Sequence, residues 1–300
     1  EGFLGILEQQ FEQRRAAPVQ LLEGPAQFGQ PCLAVGGQDA RVRQEASAVS
    51  INERGEEIRR QTLGIDHPLY AATLNTLGSA FAEEGQLEEG LRYCQRSVEI
   101  LAANGTDPVE TASNRVDVAE MLVALERVPE AEREVTAARE ILEQGLGPDH
   151  PQLGAVHGVM AKIAAARGDA AGVRRHSDRA IAIATLTLGE GHAELDDAQV
   201  ERASLLAEAG ERQEAIADLR RLIERPLDGA PSLGVSNAKL HLASLLWDEP
   251  PRRAEARGLA EAAARELRAR GHEPQARVAE TWLGEHHDDA PAPARAPRGR

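Results

Sequence analysis

The sequence predicts an all-α fold, a right-handed superhelical solenoid of stacked helix–turn–helix repeats. Three observations carry that prediction. The hexapeptide Leu63-Gly64-Ile65-Asp66-His67-Pro68 returns 83 residues later as Leu146-Gly147-Pro148-Asp149-His150-Pro151, and 42 residues further on, in eroded form, as Leu188-Gly189-Glu190-Gly191-His192-Ala193. Midway through the longer gap stands Asn104-Gly105-Thr106-Asp107-Pro108, the same joint shortened by one residue. A second marker, Gly85, Glu126, Gly168 and Gly210, advances in steps of 41, 42 and 42 and shares the same one-residue loss. Composition agrees: aromatic residues make up only 3%, while alanine, leucine, glutamate and arginine dominate, as in helical arrays packed through small side chains. Each unit is too small to bury its own apolar face and must stack on its neighbours. One continuous solenoid uses 300 residues better than two ordinary domains do.

Taken in order, residues 1–16 read as a short amphipathic helix with Phe3, Leu7 and Phe11 on one stripe, the first part of an N-terminal region 1–28. Pro18, Gly24, Pro25, Gly29, Pro31, Gly36 and Gly37 argue for turns over 17–43. One period before the template, Cys32, Val35 and Gly36 fall on motif positions, and Ala48 and Gly55 fall on the small positions of a helix over 44–61. The stretch 29–62 is therefore a degenerate repeat with a damaged first helix.

The span 63–270 holds about five clear repeats. Pro68 and Pro151 suit the first helical position, where the missing N–H is no loss. Leu74, Leu77, Gly78 and Phe81 share one helix face, and Gly85 ends that helix. The partner helix sends Leu87, Leu91, Cys94, Val98 and Leu101 inward, with Gly90 and Ser97 where helices approach closely. Gly64, Gly105, Gly147 and Gly189 punctuate the joints. The fifth repeat gains a residue around Pro250-Pro251. Residues 271–287 form a capping helix with Val278, Trp282 and Leu283 on one side, and the proline-rich 288–300 is expected to be a disordered tail.

These small and aromatic positions resemble the tetratricopeptide repeat (TPR) in its 42-residue, kinesin-light-chain-like form with the LGxDHP linker. The array also resembles the C-terminal TPR regions of bacterial, especially myxobacterial, serine/threonine protein kinases. The matching residues are Leu74, Leu77, Gly78, Phe81, Gly85, Leu87, Gly90 and Ser97; then Val118, Ala119, Leu122, Ala131 and Ala138. Next come Met160, Ala161, Gly168 and Ala180; Ala203, Leu206, Gly210, Ala215 and Leu222; and Leu242, Ala243, Leu246, Ala256 and Ala263. Arg115, Gln199 and Arg202 depart from the pattern, standing where the family prefers large apolar residues.

Chemistry is sparse. No glycine precedes a lysine, so there is no P-loop, and HExxH, G-x-S-x-G, H-R-D and D-F-G are all absent. The chain reads as non-enzymatic, without cofactor or metal. A net charge of -15 disfavours nucleic acid and anionic membrane. No apolar run reaches the ~18 residues of a membrane span, and Cys32 and Cys94 form no C-x-x-C pair and fit buried thiols of a reducing cytoplasm. The recurrent His67, His150 and His192 fit helix capping, and His286-His287-Asp288-Asp289 a solvated terminus. With Glu1 first and Met121 and Met160 the only methionines, the chain is expected to be a fragment or to have lost its start.

Function then falls to shape. The resemblance implies a concave groove, lined by the first helix of each pair, that takes a peptide or protein ligand. Carried over residue by residue, the lining is Asn75, Ser79 and Glu83; Glu120; Lys162; Ser204 and Glu208; and Asn237, His241 and Ser244. All are expected to point into the groove rather than into the core. Asn75 leads because a carboxamide donates and accepts at once. The resemblance further implies a sensor or recruitment arm of a kinase whose catalytic domain lies upstream; a free-standing adaptor is the alternative.

Overall fold

The computed structural model describes residues 48–286, apart from Thr106 and 226–230. The expectations for 1–28, the first helix of the degenerate repeat, Cys32, His287 and the 288–300 tail lie outside the described residues. Twelve helices are described and no strand: α1 (Ala48–Leu63), α2 (Pro68–Glu83), α3 (Leu87–Asn104), α4 (Pro108–Ala124), α5 (Val128–Leu146), α6 (Gln152–Ala166), α7 (Ala170–Leu188), α8 (Ala193–Glu208), α9 (Arg212–Glu224), α10 (Leu233–Trp247), α11 (Arg253–Ala269) and α12 (Glu273–Glu285). They fall into two compact units, Glu1–Gly145 and Leu146–Arg300, divided at the joint between the second and third repeats.

The joints work by capping. His67 Nδ1 accepts the Leu69 N–H at 3.1 Å, His150 Nδ1 that of Gln152 at 3.4 Å and His192 Nδ1 that of Glu194 at 3.3 Å. In the shortened joint Asp107 does the same work, its Oδ1 accepting from Val109 at 2.9 Å and Glu110 at 3.0 Å. A repeated histidine thus supplies a ring nitrogen to orphan amides at a helix start. Pro68 opens α2 at its first turn, whereas Pro151 sits one residue before α6.

The turn inside each pair is equally uniform. Gln86, Arg127, Asp169 and Glu211 each donate from the backbone to the carbonyl five residues back, at 2.8 to 2.9 Å, closing a Schellman turn. The residue before each has positive φ: +79° at Gly85, +69° at Gly168, +94° at Gly210, and +58° at Glu126, which has a Cβ. Glu126→Gly should therefore stabilise the first unit. Relief of left-handed strain, about 1–2 kcal/mol, exceeds the entropy given to the unfolded chain, about 0.4–1 kcal/mol. A urea midpoint that falls instead would mean the Glu126 side chain returns more than its backbone loses.

In the first unit, α2 and α3 approach most closely at two glycines. A Cβ on Gly78 would meet Cys94 Sγ and stand 2.7 Å from Gly90 O; one on Gly90 would stand 2.6 Å from Gly78 O. Around this contact lie buried Tyr70, Ala71, Leu74, Ile100 and Leu101, and Leu77, Ala80 and Phe81, with Phe81 stacked on Tyr93 at 5.3 Å. Ser97 Oγ donates to Ala71 O at 2.7 Å and accepts from Asn114 Nδ2 at 2.9 Å, linking α2, α3 and α4.

The second unit packs α6 to α12 around one apolar core that includes Val173, Leu206, Leu219, Leu246, Leu267 and Trp282. Arg202, at an apolar position of the repeat, is accommodated by ion pairs with Asp178 at 2.9 Å, Glu214 at 3.6 Å and Asp218. The inserted Pro250-Pro251 forms a short 3₁₀ turn, Pro250–Arg252, before α11. α12 buries Ala276, Ala279 and Trp282 and exposes Arg277, Thr281 and Glu285. Val278 and Leu283, expected on the same side as Trp282, are partly buried and pack against the core that Trp282 enters.

Candidate binding face

In each unit the first helices of successive repeats lie against one another: α2 touches α4, and α8 touches both α6 and α10. Side chains expected to line a groove meet across these seams. Asn75 Nδ2 on α2 donates to Asp117 Oδ2 on α4 at 2.9 Å. That bond fixes the amide orientation and leaves Asn75 Oδ1 buried without a donor. Ser79 Oγ donates to Asn75 O at 3.1 Å within its own helix. Glu83 and Glu120 are half-buried on α2 and α4.

In the second unit, half-buried Lys162 on α6 pairs with Glu201 on α8 at 3.4 Å. Ser204 Oγ on α8 lies 3.1 Å from His241 Nδ1 on α10, and Asn237 hydrogen-bonds the carboxylate of Asp197. Glu208 is exposed, and Ser244 donates to Leu240 O at 3.2 Å.

Three residues expected to point into the groove do not. Ser204, Asn237 and His241 are only 8 to 9% exposed and lie in the α8–α10 seam. The reason is spacing: adjacent first helices pack so closely that polar side chains facing one another satisfy each other instead of solvent.

Conversely, Asp117, Asp197 and Glu201 take part in the seams although the repeat mapping passes over them. Asp197, Glu201, Ser204 and Glu208 follow one another at steps of four, three and four, a single α8 stripe, so helical periodicity alone marks them.

Electrostatics sets this face apart. Asp197 keeps solvent contact, yet protein crowds its carboxyl; that desolvation first, and the charge of Asp196 second, push its pKa up to about 6 against the opposing Asn237 hydrogen bond. Glu208 is raised by the same desolvation, Lys162 pulling it back and Glu201 pushing it up. Burial drives His241 down to about 4. Cys94, buried behind Asn75, is pushed up to about 12 by burial and then by Asp117, which makes it a poor nucleophile. Among the described residues no helix is long and apolar enough to cross a membrane.

No protein-family model matches the chain, and no curated protein matches it. Solved structures do. The nearly identical TPR-like repeats of a kinesin-light-chain-like protein from Podosopora anserina share 24% identity over 61% of this chain and 87% of that one, with a TM-score of 0.50. BtubC (BKLC) from P. vanneervenii matches 84% of this chain and 97% of its own at 13% identity, with a TM-score of 0.55. NprR, solved in complex with its cognate peptide NprX, matches 95% and 82% at 11% identity, with a TM-score of 0.53. The fold is therefore that of an all-α TPR array.

Proposed function

We propose that the chain is a non-catalytic binding module that holds a peptide or protein segment along the first-helix face of its repeats. The observation that carries this reading is the seam chemistry of α6, α8 and α10. Polar side chains from three successive repeats converge on one face, with Lys162, Glu201 and Glu208 retaining solvent contact. The fold shared with NprR, a peptide-bound protein, supports it. Carboxylates outnumber cations on this face: Asp197, Glu201 and Glu208 stand against Lys162, so a segment bearing lysine or arginine suits it best.

We further propose that the module serves as the recruitment arm of a bacterial serine/threonine kinase, on the strength of the LGxDHP joints. A free-standing adaptor, with no enzyme attached, is the second reading. H-R-D and D-F-G motifs upstream in the same reading frame would decide between them.

The binding test uses two positions that keep solvent contact, half-buried Glu201 and exposed Glu208. Glu201→Lys combined with Glu208→Lys should weaken capture of basic peptides at least tenfold while leaving helicity intact, since surface changes shift stability by only about 0.5 kcal/mol. Equal capture from an arrayed peptide library by wild type and variant would place binding elsewhere.

A further inference from the structure

Charge is unevenly spread along the chain. The whole carries -15, yet residues 290–300, APAPARAPRGR, hold Arg295, Arg298 and Arg300 and no acidic residue. The segment lies outside the described residues, but the point from which it departs does not. At the end of α12, His286 stacks on Trp282 with ring centroids 4.2 Å apart and meets Trp247, the last residue of α10, edge-on at 5.1 Å. Arg257 Nη1 donates to His286 O at 2.9 Å and holds it there. α10 lies beside α8, and the two run parallel: Ser232 at the start of α10 bonds Asp196, and His241 meets Ser204, contacts 36 and 37 residues apart. Trp247 therefore stands at the same end of this seam as Glu208.

We propose that residues 290–300 fold back onto the α8 carboxylate stripe of their own chain and occupy it until a ligand displaces them. This autoinhibitory contact rests on the binding face proposed above. Spacing supports it. Glu208, Glu201 and Asp197 stand seven and four residues apart on α8, about 10.5 and 6 Å along the helix axis. Arg295, Arg298 and Arg300 stand three and two residues apart, about 9.3 and 6.2 Å in the polyproline II course that Pro291, Pro293 and Pro297 favour. The two ladders agree to about 1 Å, in the order in which the segment meets them, Glu208 first. Reach suffices as well. Nine residues carry the chain from His286 to Arg295, about 28 Å when extended, against about one helix spacing of 8–10 Å and a turn between Trp247 and Glu208. Asp288 and Asp289 fall in that connecting stretch and not on the stripe. All three carboxylates keep solvent contact, and Lys162, 3.4 Å from Glu201, offsets one of their charges. The prolines also reduce the entropy lost on docking, since their φ is already fixed.

The test is competition in the full chain. The probe is a fluorescein-labelled peptide, APAPARAPRGR, titrated by fluorescence anisotropy at low salt, where exposed charges are least screened. A short tether holds the chain's own segment at a millimolar effective concentration. Wild type should therefore bind the probe about tenfold more weakly than the triple variant Arg295→Gln, Arg298→Gln, Arg300→Gln, whose own segment cannot compete. Glutamine leaves that segment neutral, so it does not attract the probe itself. Adding Glu201→Lys and Glu208→Lys to the triple variant should remove probe binding. Equal affinity of wild type and triple variant, lost on the two lysine exchanges, overturns the autoinhibitory contact and leaves the binding face standing. No saturable binding to either protein below about 1 mM overturns both. A wild type that sediments as a dimer where the triple variant is a monomer assigns the segment to a second copy, which also overturns the proposal.

Discussion

Gly78→Leu is expected to destabilise the first unit by about 3 kcal/mol, at the upper end of the usual overpacking range. The atoms a side chain would strike include backbone: Gly90 O at 2.7 Å and Cys94 N at 3.1 Å from the new Cβ, with Cys94 Sγ nearer still. A flexible neighbour could rotate away, but α3 cannot, because Ser97 is tied to Ala71 O and to Asn114. The two helices must separate, and the Asn75–Asp117 and Ser97 bonds separate with them. A repeat array passes such damage to adjacent repeats. Hydrogen exchange should therefore accelerate in α1 and α4 as well as in α2 and α3, and the unit's melting midpoint should fall by roughly 15 °C. Gly78→Ala, which places only the Cβ, should lose less but still measurably. An unchanged midpoint for the leucine variant would show that the two helices part without loss.

Why this contact was visible in the sequence while the α8–α10 seam was not comes down to what each depends on. Gly78 and Gly90 matter through the absence of a side chain, and a missing Cβ at a helix crossing reads the same in any neighbourhood. The same holds for the positive-φ joints and for His67, His150 and His192, whose partners lie two residues away in the chain. Periodicity and local chemistry suffice there. The direction of Ser204, Asn237 and His241 depends instead on how closely one repeat stacks on the next. A pattern that repeats every 42 residues carries little of that distance. Arg115 and Arg202 look like damage to the repeat until Glu134 and Asp218 are seen across the helix pair.

The largest pH effect should come from His241. Ser204 Oγ donates to Val200 O at 3.0 Å, so its lone pair receives the Nδ1–H of His241 at 3.1 Å, which sets the tautomer of the neutral ring. Burial pushes this histidine from 6.5 down to about 4. A lowered histidine pKa means the folded state binds the proton less well than the unfolded one. Its contribution is thus whole above pH 6.5 and is lost as pH falls toward 4, in total about 3 kcal/mol. Asp197 acts in the opposite sense over nearly the same window. Its pKa, raised from 3.8 to about 6, means the fold gains from its protonation as pH falls, by an amount reduced by the solvent it keeps. Wild type should therefore lose less between pH 6.5 and 4 than His241 alone dictates. Asp197→Asn should steepen that acid loss, and His241→Gln should abolish it or reverse its sign. Urea midpoints at half-unit pH steps would separate the three curves, and a His241→Gln protein that keeps the wild-type acid slope would assign the proton uptake to another group.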